Sequence, residues 1–397
     1  VKIWYSFPHP IGAPGIATVA WHQVRALCDR GVEVVLFVPA VARRLPGQVE
    51  VRRTVSRAQR WVLSGGMASE RAWAWHDRRV AAALDAAPEP PDLVHTWPAA
   101  CLRTLRVCKR RGIVGVREAP SAHTADGFAQ STREQQQTGV YLPRRHPFRA
   151  DAARLAREEE EFGTADALLV PSESAAATYR ARGLDPGAVL VHRYGFDPQR
   201  FRPDPHWVPP RPGELRALYV GRIDPAKGVH YALEAWVRSG LGRTGGRFTL
   251  VGDMLPKMAS AFRDWLGSPG VTVHPFTHHV GAYMRAADVL VLATVTEGSA
   301  LVTYEAQGCG CVLLVSEVAG ADCRPGVDAL VHPVRDVGVL ADQLTQLGAD
   351  PNRLVQMRRR VLERTSQLTW SAAGEALLGA YAQMLRPRGV PLPAGEG

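Results

Sequence analysis

Glu297 and Glu305 bracket the segment Glu297-Gly298-Ser299-Ala300-Leu301-Val302-Thr303-Tyr304-Glu305, which follows a short apolar run at 289–292. If the chain turns into a helix near Ser299, the eight helical steps between the two carboxylates span roughly 12 Å. Acids that far apart cannot work as a pair on one atom. They can accept hydrogen bonds from hydroxyls at two ends of one long ligand, while the helix N-terminus between them offers backbone N–H groups to an anion. Spacing alone is explained equally well by a helix cap and a surface glutamate.

A second cluster, Val220-Gly221-Arg222-Ile223-Asp224-Pro225-Ala226-Lys227-Gly228, follows the apolar run at 215–220. Strand, glycine, cation, turn, cation, glycine is an order suited to phosphate. Arg222 brings a planar fork of donors and Lys227 a compact charge, and both could neutralise a departing diphosphate. Either cation alone reads as a solvated turn. With the two glutamates, the set matches the layout of a nucleotide sugar: hydroxyls, diphosphate, hydroxyls. The loop Pro8-His9-Pro10-Ile11-Gly12-Ala13-Pro14-Gly15 is a weaker signal, in which Gly12 and Gly15 let backbone approach a phosphate at the start of a helix. A nicotinamide enzyme would show G-x-G-x-x-G and an acid at the end of the next strand. Here that strand ends Phe37-Val38-Pro39-Ala40, which disfavours it.

These residues need elements to hold them. Residues 3–7 are apolar, 8–15 form a Gly/Pro loop, 16–30 carry a helical pattern and 32–38 are apolar again, which is a βαβ unit. Apolar runs recur at 93–95, 113–116, 167–170 and 189–191, and then at 215–220, 248–251, 271–274, 289–292 and 312–315. Runs that are apolar on consecutive residues indicate parallel sheets covered by helices on both faces. Between Gly195 and Gly213 the rhythm lapses into a stretch with six prolines. The expected division is therefore an N-terminal doubly wound domain over 1–194, a linker over 195–213, a second doubly wound domain over 214–370, and a C-terminal helix and tail over 371–397. The ligand belongs in the cleft between them, at the carboxyl ends of the strands. The helical pattern at 371–385 could cross back to the first domain.

Length agrees with two domains, since 397 residues exceed one ordinary core. Hydrophobic residues at 46% and charged residues at 22% are ordinary globular values. No run approaches the roughly 20 apolar residues of a membrane span, and residues 1–7 read as a strand and not as a signal peptide. Six cysteines, mostly in apolar runs and without zinc-site spacing, read as reduced core thiols of a cytoplasmic protein. The net charge of +10 suits a polyanion. Aromatics at 7% and the absence of a recognisable module argue against nucleic acid. Residues 56–75 mix arginines with Trp61, Trp73 and Trp75, which could dock weakly on an anionic membrane or simply pack a helix.

Taken jointly, the motifs resemble glycosyltransferase family 4 over nearly the whole chain: Gly12 to Gly15, Arg117-Glu118-Ala119-Pro120-Ser121-Ala122-His123, Val170-Pro171-Ser172-Glu173, Tyr194-Gly195-Phe196-Asp197 with Phe201-Arg202-Pro203, Gly221-Arg222 to Lys227-Gly228, and Glu297 to Gly310. The resemblance implies the GT-B fold, in which two Rossmann-like domains face a central cleft. It further implies a retaining hexosyltransferase that takes its sugar from a nucleotide-sugar donor, with no cofactor and no obligatory metal. The absence of an Asp-x-Asp motif agrees with that.

Carried over by motif, Arg222 and Lys227 would bind the diphosphate and Glu305 the ribose. Glu297, with the backbone of Gly298, Ser299, Ala300 and Leu301, would hold the sugar, and His123 would face the reacting carbon. Residues 274–277 would lie near the nucleobase. The chain departs from the family pattern at Ser299-Ala300, where Phe-Gly is usual, and at Val312, where proline is usual, which bears on the identity of the sugar.

No carboxylate pair suits double displacement, so front-face attack by an acceptor hydroxyl is expected. The acceptor, a saccharide, a natural product or a lipid-linked precursor, would meet the polar stretch 121–148. Two rival readings remain at this point: a nucleotide-sugar epimerase of the same fold, and a non-catalytic sugar-nucleotide-binding subunit.

Overall fold

The computed structural model describes residues 1–55, 68–144 and 146–390, without the side chains of 68 and 69. The strands are β1 (Lys2–Ser6), β2 (Glu33–Val38), β3 (Glu50–Arg53), β4 (Leu93–Thr96), β5 (Val114–Glu118), β6 (Ala167–Val170) and β7 (Val189–Val191). Those of the second half are β8 (Arg216–Val220), β9 (Arg247–Val251), β10 (Val271–His274), β11 (Val289–Leu292), β12 (Val312–Ser316) and β13 (Ala329–His332). They form two all-parallel sheets ordered β3-β2-β1-β4-β5-β6-β7 and β10-β9-β8-β11-β12-β13. Each is doubly wound, with its order reversing beside β1 or β8. Those switch points are where such sheets bind ligands.

The apolar runs became strands because both faces of each sheet are covered: all four residues of β11 and all five of β12 are buried. Two strands fall outside the apolar runs read from the sequence. β3, Glu-Val-Arg-Arg, is exposed along its whole length at the sheet edge, where charged side chains block further pairing. β13 is four residues long and ends on His332.

Residues 195–213 are not a loose spacer. Phe196 and Phe201 are buried, and Phe196 N donates to Leu368 O at 3.0 Å while Trp370 N donates back to Phe196 O at 3.2 Å. The chain thus crosses between lobes twice, side by side. After the second crossing the helix Trp370–Leu385 packs on the helix Ile16–Cys28 of the first lobe, with Trp370 stacked on His22 at 4.4 Å. Tyr381 Oη lies 2.6 Å from His95 Nδ1. The C-terminal segment therefore does cross back.

All six cysteines are unpaired and five of them are buried. Among the described residues no helix is long and apolar enough to cross a membrane. Ser56 to Met67, including Trp61, lie outside the described residues. Trp73 packs edge-on against His9 at 5.7 Å and Trp75 Nε1 donates to Thr54 O at 3.0 Å, so both rings serve packing.

Candidate active site

The lobes enclose a cleft of about 1120 Å³. Its C-terminal wall carries Arg222, Lys227, Glu297, Ser299, Ala300, Leu301 and Glu305, and its N-terminal wall carries Gly12 and Gly15. Four side chains distant in sequence, two acids and two bases, thus share one crevice.

The phosphate turn comes directly off β8. Asp224 caps it, accepting from Lys227 N at 3.2 Å. Gly228 has φ 63°, and a Cβ there would lie 1.8 Å from Ala293 O, so the turn can sit against the end of β11 only with glycine. Burial would raise the Asp224 carboxyl, yet the His146 ring 3.5 Å away and the charges of Arg222 and Lys227 hold it below its ordinary value. Arg222 stays half-exposed on the cleft, its Nε 3.6 Å from Asp224.

Glu297 follows β11. One carboxylate oxygen accepts from Lys227 Nζ and the other from Gly298 N at 3.3 Å. Gly298 itself faces away from the cleft: a Cβ there would meet Pro120 O of the other lobe at 2.0 Å, and Ser172 Oγ donates to its carbonyl. The helix begins at Leu301, two residues later than Ser299, and has no side-chain cap. The Ser299 hydroxyl is turned inward to Gly320 O at 2.7 Å, and Ala300 N donates to Ala319 O at 3.2 Å. Of the backbone expected to cradle an anion, the amides of Gly298 and Ala300 are thus already engaged. The amide of Ser299 and the uncapped first turn at Leu301 and Val302, all on the cleft wall, are what remain.

Glu305 projects from this helix into the cleft without a hydrogen-bond partner among the described residues. Burial pushes its carboxyl up to about 7, with Arg200 opposing. Gly15 precedes the helix Ile16–Cys28, whose N-terminus also lacks a side-chain cap and faces the cleft.

His123 lies behind the cleft wall and does not itself line it. It is only 2% exposed, its Nδ1 accepts from Ala125 N at 3.2 Å as the cap of the helix Thr124–Thr138, and its ring packs against Phe162 and Tyr179. Burial, and next the charge of Arg182, lower its pKa. The cleft wall at this point is Pro120, Ser121, Ala122 and Thr124, with His123 behind it.

Residues that spacing did not single out also line the cleft: Arg43, Arg154 and Arg200, and the rings of Phe148, Tyr194 and Phe276. Phe276 is 56% exposed at the rim, near the end of β10. Arg200 lies in the Asp197 to Pro203 motif, which was a usable signal. Nothing local distinguishes Arg43 or Arg154 from the other basic residues. Among the described residues no group of His, Cys, Asp and Glu is placed to hold a metal ion.

Two facing parallel-sheet lobes with an anion-binding turn and a pair of carboxylates on the C-terminal side define the GT-B class of glycosyltransferases. The family model Glycosyltransferase Family 4 matches residues 14–200, and Glycosyl transferases group 1 matches 214–350. The chain belongs to glycosyltransferase family 4. A D-inositol 3-phosphate glycosyltransferase of Streptomyces bingchenggensis is 30% identical over 59% of this chain and 56% of its own length. One from Frankia alni is 29% identical over 95% of this chain and 96% of its own. The match thus spans little more than half of the Streptomyces relative but nearly all of the Frankia one.

Among solved structures, the sucrose-phosphate synthase of Thermosynechococcus elongatus superposes with a TM-score of 0.69 at 20% identity, covering 97% of this chain and 99% of that one. Anabaena HepE, solved with UDP and glucose, gives 0.64 at 14%, covering 96% and 99%. These likenesses are of fold.

Proposed function

We propose that the protein transfers a sugar from a nucleoside-diphosphate sugar to an acceptor hydroxyl with retention of configuration. The observation that carries the reading is the convergence of Arg222, Lys227, Glu297 and Glu305 on one cleft beside an uncapped helix turn. Arg222, Lys227 and the first turn of the helix Leu301–Gly308 take the diphosphate, and Glu305 accepts from ribose hydroxyls. Glu297, oriented by Lys227, accepts from the sugar, and the exposed ring of Phe276 gives the base a face to stack on. The N-terminal wall presents the acceptor. The relatives' names place a phosphate on their acceptor, and Arg43 and Arg154 on this wall suit an anionic acceptor here as well.

Glu297 and Glu305 are the only carboxylates on the cleft wall among the described residues, and Glu297 is already ion-paired. Glu297 is held by Lys227, and Glu305 stands two helical turns further on, where this reading puts the ribose; neither is placed as a nucleophile, which favours front-face attack: the acceptor oxygen forms its bond to the anomeric carbon as the bond to the diphosphate breaks on the same face. The acceptor proton passes to the leaving diphosphate. Arg222 and Lys227 stabilise the negative charge that builds there, the kind of preorganised electrostatics that dominates such steps, and no metal is required.

A thermal-shift panel of nucleotide sugars tests the donor, because a ligand stabilises in proportion to its occupancy. Product NMR with the stabilising donor then reads the anomer, with and without chelator. An inverted product, or turnover abolished by chelation, would overturn the mechanism. Conversion of the donor without acceptor would favour epimerisation, and donor binding with neither transfer nor hydrolysis would favour a non-catalytic subunit.

A further inference from the structure

The helix Thr124–Thr138 belongs to the N-terminal lobe, yet its Glu134 is completely buried with its carboxylate bonded to the other lobe. It accepts from Arg335 Nε at 2.7 Å, from His230 Nε2 at 3.0 Å and from Tyr231 Oη at 2.9 Å. Arg335 also donates to Gln130 Oε1 at 2.6 Å, one turn earlier on the same helix. Three C-terminal residues thus converge on one N-terminal carboxylate.

Their position along the chain is informative. His230 and Tyr231 follow the turn Pro225–Lys227 and Gly228, which carries a cation of the diphosphate site. The N-terminal stretch that Glu134 anchors touches that turn again further on. His146 Nε2 lies 3.5 Å from Asp224 Oδ2, and Lys227 Nζ lies 5.5 Å from the centre of the Phe148 ring. Pro147 and Phe148 line the cleft. A cover drawn from one lobe is therefore fastened at two points to the other, once to the helix that follows the phosphate turn and once to the turn itself.

Arg335 has φ 69°, a left-handed conformation that disfavours residues with a Cβ. It holds that conformation where its guanidinium spans the lobes, and such backbone persists only where the surroundings impose it. The two adjacent crossings at Phe196 and Thr369 are where a hinge between the lobes would act.

We propose that Glu134 is a positioning residue: an interlobe latch that makes closing the lobes and setting Lys227 over the diphosphate a single event. Glu134 does not line the cleft and acts only through its partners. The proposal rests on the nucleotide-sugar reading of the cleft. Without the latch the closed arrangement is populated less, so the apparent donor affinity falls by the lost fraction and turnover falls with it.

Two variants test this. Glu134→Gln removes the charge at nearly constant shape. Arg335→Gly removes the guanidinium and places at φ 69° the residue that favours it, so the loop is not strained. Donor KM, kcat, melting temperature and the radius of gyration from small-angle scattering are compared with wild type. Expected are a donor KM raised about tenfold, a lowered kcat, and a larger radius without donor that contracts when donor is added. Wild-type kinetics and radius in both variants, or a lowered melting temperature as the only change, would overturn the latch. The scattering without donor reads the latch independently of any ligand. A wild type that binds no nucleotide sugar would instead sink the reading of the cleft.

Discussion

Glu118 and Glu305 are chemically the same group, one in each lobe, and their surroundings treat them in opposite ways. Glu118, fully buried at the end of β5, accepts from His192 Nε2 at 3.0 Å and Tyr194 Oη at 3.1 Å, with His95 and Gln23 on its other oxygen. Burial alone would raise it; the two histidines bring it down to about 2. Glu305 has burial and no compensating donor, and it rises to about 7. The N-terminal lobe repeats its pattern at Arg117, enclosed with Glu158 and Glu161. Charges there are satisfied within the chain and hold the lobe together. On the C-terminal wall Glu297 is paired with Lys227, while Glu305 has no partner among the described residues, and that contrast is what the reading of Glu305 as a binding acid rests on.

The comparison can be broken most forcefully at Glu118. Substituting alanine leaves two histidines and a tyrosine without their acceptor and should cost about 3–5 kcal/mol in urea unfolding. A loss under about 1 kcal/mol would mean the network is not what stabilises the lobe. Lys227→Ala should do the reverse, lowering kcat by about 10²–10³ while the unfolding midpoint stays close to wild type. Equal damage to both would place Lys227 with the structural charges.

Glu305 sharpens the contrast through pH. Its native proton is held up to about 7 against an ordinary value of 4.5, so the native state binds a proton that the unfolded state has released. Unliganded stability should therefore decline as pH rises between those values and level off above them. Donor hydroxyls favour the ionised carboxylate, so donor affinity should increase from about pH 6 to 8, and Glu305→Gln should flatten that titration. A pH-independent affinity in the wild-type protein would remove Glu305 from the site.

The smallest effect is expected at His123, where alanine should cost about 1 kcal/mol of helix capping and leave kcat unchanged. A collapse of kcat with normal stability would return His123 to the reaction.

Much of this was legible in the chain itself. The strands show because residues buried on both faces of a sheet must be apolar in succession, as in Val-Leu-Val-Leu of β11. The exposed edge strand β3 lacks that pressure and left no trace. Arg222, Lys227 and Glu297 were readable because each lies a few residues beyond the carboxyl end of a strand, and Glu305 because it follows Glu297 two turns up the next helix. The packing of His123 was not readable, because its ring is held by Phe162 and Tyr179, side chains from two later helices. Arg43 and Arg154 are ordinary arginines until the lobes close on them.

Local pattern was thus enough to establish two doubly wound lobes and the adjacent strand-end motifs, because hydrophobic periodicity and turn chemistry act over a few neighbouring residues; the family came from the resemblance of those motifs taken together. Tertiary structure alone decided which charges neutralise one another and which await a ligand. Glu118 meets His192 across 74 positions and Glu134 meets Arg335 across 201. The free energy of a carboxylate depends on the donors and the water within a few ångströms of it, and no stretch of sequence states what those will be.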